Sequence, residues 1–240
     1  MSKTAKTIWV AAAIAITSIC FAFVKRDRPS SASETQIAAF NPYPIGSPAR
    51  LEQEKFLDWL MGNAQLGRAA ASPGLVDRQK LASRLMATGM GRLPDDMLEK
   101  YLPLVSKIVE SLDVESCGKF MKRELPQAQF VASANAVIGD FNADEANTWF
   151  SVEKSAIQAD LNGEPVVPID SEQTPYDLMK FAASLPDNQS AEFLLRLRRF
   201  PTAPYGEACA VTRTLLSQRS RLNEPYRGRV ARLLLTRQAG

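Results

Sequence analysis

The chain has 240 residues, 45% of them hydrophobic and 23% charged, with no histidine and three cysteines. That size and balance belong to a folded protein with a core of its own rather than to a disordered chain. The missing histidine excludes Ser-His-Asp and Cys-His catalysis in their usual forms, together with histidine metal ligands and histidine pH sensing. Three scattered cysteines cannot build a four-thiolate zinc site.

Ile8 to Val24 is a run of 17 uncharged residues, preceded by Lys3 and Lys6 and followed by Lys25, Arg26 and Arg28. As a helix it would be about 25 Å long, at the short end of what spans a bilayer. Trp9 is placed to sit at the interface. Cys20 and Ala22 fit a signal-peptidase site only loosely, and the mature chain would then open on basic residues. Ile19 before Cys20 does not suit lipoprotein processing. Residues 1–28 are therefore read as an N-terminal tail and a single-pass transmembrane signal-anchor, with residues 8–24 in the membrane. The flanking charges are nearly balanced, so the positive-inside rule leaves the orientation open. Residues 29–47 are rich in Pro, Ser and Ala without sustained periodicity, and read as a flexible linker.

The cysteines bear on orientation. Cys20 lies inside the apolar run, which leaves Cys117 and Cys209 as one even pair in similar settings, Glu115-Ser116-Cys117 and Glu207-Ala208-Cys209. In an exported body they can form a disulfide closing a loop of about 90 residues, worth up to ~4 kcal/mol on a chain-entropy estimate. The alternative is two buried free thiols.

From residue 48 onward helix signals recur. Ser47-Pro48 is an N-cap followed by a proline in the first turn, ahead of Leu51, Phe56, Leu57 and Leu60. The spacing predicts further helices from Asp77 to Thr88 and from Asp95 to Leu112, the latter kinked or restarted at Pro103. Asp113 can cap a helix carrying Cys117, Phe120 and Met121. A weaker pattern covers residues 127–138. Asn142 and Glu145 form a capping-box pattern ahead of Trp149, Phe150 and Ile157. The strand-like run Glu164 to Ile169 is demoted to an extended loop by its prolines. Thr174 opens a helix with Leu178, Phe181 and Ala182 inward, and three more follow at 190–200, 204–219 and 224–237, the last with Asn223 as its cap. The expected fold is all-α: the transmembrane helix, the linker, and one multi-helix domain over residues 48–240 with about nine short helices.

Charge is segregated along the chain. Residues 1–28 carry a net charge of +4. Residues 29–188 have 14 basic against 22 acidic residues, net −8. Residues 189–240 have 10 basic against 3 acidic, net +7, and every one of those basic residues is arginine. Arginine suits bidentate recognition of phosphate and carboxylate. Arg196, Arg198, Arg199, Arg219, Arg221, Arg227, Arg229 and Arg232 are therefore candidates for binding an anionic lipid surface or polyanion. The competing reading is that these helices pack against the acidic body with complementary faces. Nucleic acid is disfavoured as a partner, because an exported domain rarely meets it and no aromatic interleaving accompanies the basic residues.

No residue set is singled out as catalytic, and no metal ligand or cofactor is expected. Glu110-Ser111 and Glu115-Ser116 supply the Glu-Ser dipeptide of lytic transglycosylases. The Gly-Leu-Met-Gln-type segment and the aromatic sugar platforms are missing, so no site is carried over from that family. Asp140, Asp144 and Glu145 lack the ligand order of an EF-hand loop. Gly89-Met90-Gly91-Arg92-Leu93 lacks the strand and Lys-Ser/Thr end of a phosphate loop. There is no Cys-x-x-Cys. The sequence thus favours a non-enzymatic interaction or scaffold module of a cell-envelope assembly, anchored in the cell membrane with an extracytoplasmic (periplasmic) body and a protein partner. The alternative is an envelope hydrolase or lyase that acts on glycan through two carboxylates.

Overall fold

Ser47 accepts a hydrogen bond from the Arg50 amide at 3.2 Å, and Pro48 follows as the first helical residue. The helix this cap opens is the first in a computed structural model that describes residues 41–70, 74–122, 124–170 and 172–236. The apolar run at 8–24, the linker up to residue 40 and Arg237 lie outside the described residues. Within them there are eleven α-helices and no strand, and no helix is long and apolar enough to cross a membrane. Two compact units divide the chain.

The first unit holds residues 41–93 and Gln127–Val166. Its helices are α1 (Pro48–Gly62), α2 (Ala64–Ala69), α3 (Leu75–Gly89), α6 (Gln127–Gly139) and α7 (Ala143–Leu161), with a 3₁₀ turn at Met90–Arg92. Among the described residues, Asn41 and Tyr43, inside the segment read as a linker, already pack on this unit. Asn41 donates to the Arg50 carbonyl at 3.0 Å, and buried Tyr43 meets the edge of Phe150 at 6.1 Å. The unpredicted α2 starts at once after α1, because the Asn63 side chain accepts from both the Gln65 and Leu66 amides at 3.0 Å. Arg78 of α3 donates to the Leu60, Met61 and Asn63 carbonyls at the C-terminal end of α1, where cationic donors complement the helix dipole. The predicted capping box of α7 is complete in both directions, at 3.0 and 3.2 Å. Arg92 then pairs with Asp160 of α7 at 2.8 Å. The backbone of α3 lies so close to α7 that a Cβ at Gly89 would stand 1.8 Å from the Ala156 carbonyl oxygen.

The second unit holds Pro94–Pro126 and residues 167–236. Its helices are α4 (Asp95–Ser111), α5 (Val114–Lys122), α8 (Gln173–Ser184), α9 (Asp187–Arg199), α10 (Tyr205–Ser217) and α11 (Tyr226–Leu235), with 3₁₀ turns at Phe200–Thr202 and Arg219–Arg221. Helix α4 runs through Pro103 without restarting. Asp113 caps α5 as predicted, accepting from the Ser116 amide at 2.9 Å. Hydrogen bonding to Ser116, led by its side chain, holds the Asp113 carboxyl below its ordinary value. The last helix starts at Tyr226, after Pro225, rather than directly behind Asn223.

Cys117 of α5 and Cys209 of α10, both buried, form the disulfide considered above, with a sequence separation of 92. The two helices touch closely beside it: a Cβ on Gly118 would stand 2.3 Å from the Tyr205 carbonyl oxygen. The bond and the glycine thus fix the same interface from adjacent positions.

Two stability measurements follow from these contacts. Gly89→Ala destabilises the protein by about 3 kcal/mol, because the obstructing atom is backbone and cannot rotate away. Gly62→Ala, with nothing within 4 Å of the added carbon, changes stability by less than about 1 kcal/mol. Urea unfolding of the two variants against wild type checks the contrast. The double variant Cys117→Ser/Cys209→Ser loses about 4 kcal/mol by the same assay, the loop-closure value for a cross-link of this span.

Candidate functional site

Helix α11 carries Arg227, Arg229 and Arg232, and each reaches a carboxylate on another helix of its unit. Arg229 forms a two-point bond with Asp177 of α8, Nε to Oδ2 at 2.8 Å and Nη2 to Oδ1 at 2.7 Å. Its guanidinium also lies 5.1 Å from the centroid of the Tyr226 ring. Arg232, only 4% exposed, bonds Asp95 at the start of α4 through Nε at 2.7 Å and Nη2 at 2.6 Å. Arg227 donates to Glu99 of α4 at 2.7 Å and pairs with Glu224 at 2.6 Å. Gly228 makes this spacing work. A Cβ there would stand 2.8 Å from the Asp95 Cβ and 2.9 Å from a Glu99 carboxylate oxygen, so only glycine lets α11 approach α4 this closely.

Two cavities border α11 in this unit. One, of about 350 Å³, is lined by Asp96, Glu99, Lys100, Leu102, Pro103, Arg219, Ser220 and Arg227. The other, of about 150 Å³, lies between Asp95, Asp177, Arg229, Arg232 and the extended residues 167–170. Two carboxylates serving as acid and base need to face a common cleft. Asp95, Asp177 and Glu99, which line these cavities, are each bonded to an arginine, and Asp96 is bonded to Lys100 at 3.3 Å. Glu115 pairs with Lys119 at 2.5 Å on the surface, and Glu110 accepts from the Ser106 hydroxyl at 2.7 Å. Among the described residues no group of three or more His, Cys, Asp or Glu could hold a metal ion.

The remaining arginines divide sharply. Arg196 pairs with Glu192 one turn back on α9, at 2.5 Å. Arg213 of α10 donates to the Glu110 and Leu112 carbonyls and so caps the end of α4. Arg219 donates to the Leu216 carbonyl. Burial lowers its guanidinium from the ordinary value, and the Glu110 charge opposes that. Arg221 donates to Gln218 at 2.6 Å. Arg198 and Arg199 are exposed, and neither side chain has a hydrogen bond or ion pair among the described residues. The structure therefore gathers Arg227, Arg229 and Arg232 on one internal helix and leaves Arg198 and Arg199 outward on α9.

Sequence reasoning allowed for packing against the acidic body but named none of the acidic partners, although a signal was present. Asp177 occupies a core-facing position in the series Thr174, Asp177, Leu178, Phe181, Ala182, and Arg232 interrupts the apolar run Val230 to Leu235. A charge on an apolar face needs a partner. Also missed were the exposed apolar residues Tyr176 and Met179 of α8 and Leu195 of α9. In comparisons with known proteins, no family model, curated protein or solved structure matches the chain.

Glu99 gives the arrangement a pH signature. Burial raises its carboxyl above the ordinary value near 4.5; the hydrogen bond from Arg227 opposes the rise, and the Glu224 charge adds to it. A carboxyl raised in this way binds its proton more tightly in the folded state. Its contribution to stability is full below the unfolded value and is lost as pH rises through the folded one. Glu99→Gln removes that titration. The stability of wild type relative to this variant is therefore greater at about pH 4 than at about pH 7, as urea unfolding across that range measures. A flat difference would contradict the assignment.

Proposed function

We propose that the protein is a membrane-anchored helical interaction module of the cell envelope, with its body outside the cytoplasm and a protein partner held by surface contact. The observation that carries this reading is the Cys117–Cys209 disulfide, which joins two buried thiols in the described part of the chain. Disulfides persist in oxidising compartments and are rare in the cytosol. That preference gives a direction to the apolar run at 8–24, whose flanking charges leave its orientation open. The arginine–carboxylate pairs around α11 support a binding role over glycan hydrolysis. Of the acids that border the two cavities, Asp95, Glu99 and Asp177 are tied to guanidinium groups whose bonds join helices, Asp96 to Lys100, and Asp170 to the Glu172 and Gln173 amides.

The reading is tested by fusing a reporter enzyme that works only outside the cytoplasm after Gly240. The fusion is expected to be active, and the chain to stay in membranes through an alkaline wash that strips peripheral proteins. Deleting residues 8–24 releases the chain and silences the reporter. Activity confined to a reporter that works only in the cytoplasm overturns the proposal.

A further inference from the structure

Asp96, Glu99, Lys100 and Pro103 recur at i, i+3, i+4 and i+7 along α4 and so share one face of the helix. That face borders the larger cavity of the second unit, whose volume of about 350 Å³ lies in the range of small-molecule sites. The 3₁₀ turn after α10 and the start of α11 supply its other borders through Arg219, Ser220 and Arg227. The charges around the cavity do not balance. Glu99 is bonded to Arg227 at 2.7 Å and Asp96 to Lys100 at 3.3 Å, which accounts for both acids and for two of the three cations. Arg219 is the third, and it has no ion pair with any described residue. Its Nη1 donates to the Leu216 carbonyl, while Nε and Nη2 find no acceptor among the described residues. Burial disfavours its charge, and Glu110 opposes that only from beyond ion-pair distance. A guanidinium partly withdrawn from water without a counter-ion carries a desolvation cost that a bound anion would offset.

We propose that this cavity binds a small organic carboxylate, with Arg219 holding the carboxylate group and the apolar body of the ligand lying against Leu102 and Pro103. The smaller cavity offers no such anchor, because Arg229 and Arg232 are committed there to Asp177 and Asp95. Charge selects the class of anion. One unpaired cation matches one negative charge, and a planar guanidinium donates two parallel bonds to a carboxylate. A second negative charge, as on a phosphate monoester, would meet Asp96 and Glu99 with no cation left to receive it. The apolar body follows from the rest of the wall, which is Leu102, Pro103 and the aliphatic stems of the three cations. The site lies wholly in the second unit and holds wherever the chain resides.

The test titrates the full chain with 4-fluorobenzoate and follows the fluorine NMR line width at about pH 7.5, where benzoate carries one charge and phenyl phosphate nearly two. The probe is expected to bind. Its uncharged analogue 4-fluorobenzamide binds at least about tenfold more weakly, because the charge-assisted bond is lost. Arg219→Gln weakens 4-fluorobenzoate by the same factor. Arg221→Gln, on the same turn but bonded to Gln218 and outside the cavity wall, changes the affinity by less than about twofold. Ser220→Phe puts a ring into the cavity from an exposed position and abolishes binding with Arg219 in place, so it decides the question where Arg219→Gln does not fold. In competition, phenyl phosphate displaces the probe less well than benzoate does. A dissociation constant above about 10 mM, or equal affinity for the benzoate and the benzamide, overturns the proposal. So does wild-type affinity in either folded variant, Arg219→Gln or Ser220→Phe, or a phenyl phosphate that competes better than benzoate.

Discussion

The placement of α11 between α4 and α8 organises the second unit, and it depends on pairing every arginine that the helix turns inward. Arg232 is 4% exposed, and a guanidinium buried to that extent without an acid would carry an uncompensated desolvation penalty. Asp95, Glu99 and Asp177 supply the compensation from two other helices. Such pairs add little net stability over well-packed apolar residues, but they tolerate few alternatives. Sliding α11 by one turn would leave three arginines and three carboxylates mismatched. The pairs therefore fix register, and Gly228 makes that register reachable by removing the one side chain that would hold α11 away from α4.

Much of the secondary structure was legible because its signals are local. Ser47, Asp113 and the Asn142–Glu145 box each satisfy backbone donors within three residues, so their meaning does not depend on the rest of the chain. Helix α2 escaped because it has a single buried residue, Leu66, and no period to detect; its start is set by Asn63 alone. At Pro103, where the proline suggested a kink or a restart, there is no restart. The hydrogen bond it forfeits is outweighed by the burial of Tyr101, Leu102, Leu104 and Val105 around it, so α4 continues. The chain passes between the two units at Leu93–Pro94, at Pro126–Gln127 and between Pro165 and Pro168. A linear reading treats those prolines as ordinary loops, because nothing local distinguishes a turn within a unit from a passage out of it.

The charge pattern shows most clearly what sequence order conceals. The arginine-rich end looks like a cationic surface when counted over residues 189–240. Counted over the second unit, Pro94–Pro126 with 167–240, there are 16 basic and 14 acidic residues. The excess nearly vanishes because α11 is surrounded by acids that lie 52, 128 and 137 residues earlier in the chain. No local window can contain such pairs. What does remain in the sequence is the misfit of Asp177 and Arg232 on apolar faces, two opposite charges whose positions make sense only if each has a partner.

Residues of the second unit differ in the constraint they bear. Arg227, Arg229, Arg232, Gly228 and Gly118 are held by the packing of the second unit, and changes there propagate into helix placement. Tyr176, Met179 and Leu195 are largely exposed apolar groups, and Arg198 and Arg199 bond to no other described side chain. Single exposed apolar side chains are ordinary on a folded surface, and the Tyr176 ring also lies 6.1 Å from that of Tyr226 on α11. The Phe181–Phe193 contact joins α8 to α9, so the outward positions of the two helices carry less of the fold than the inner ones.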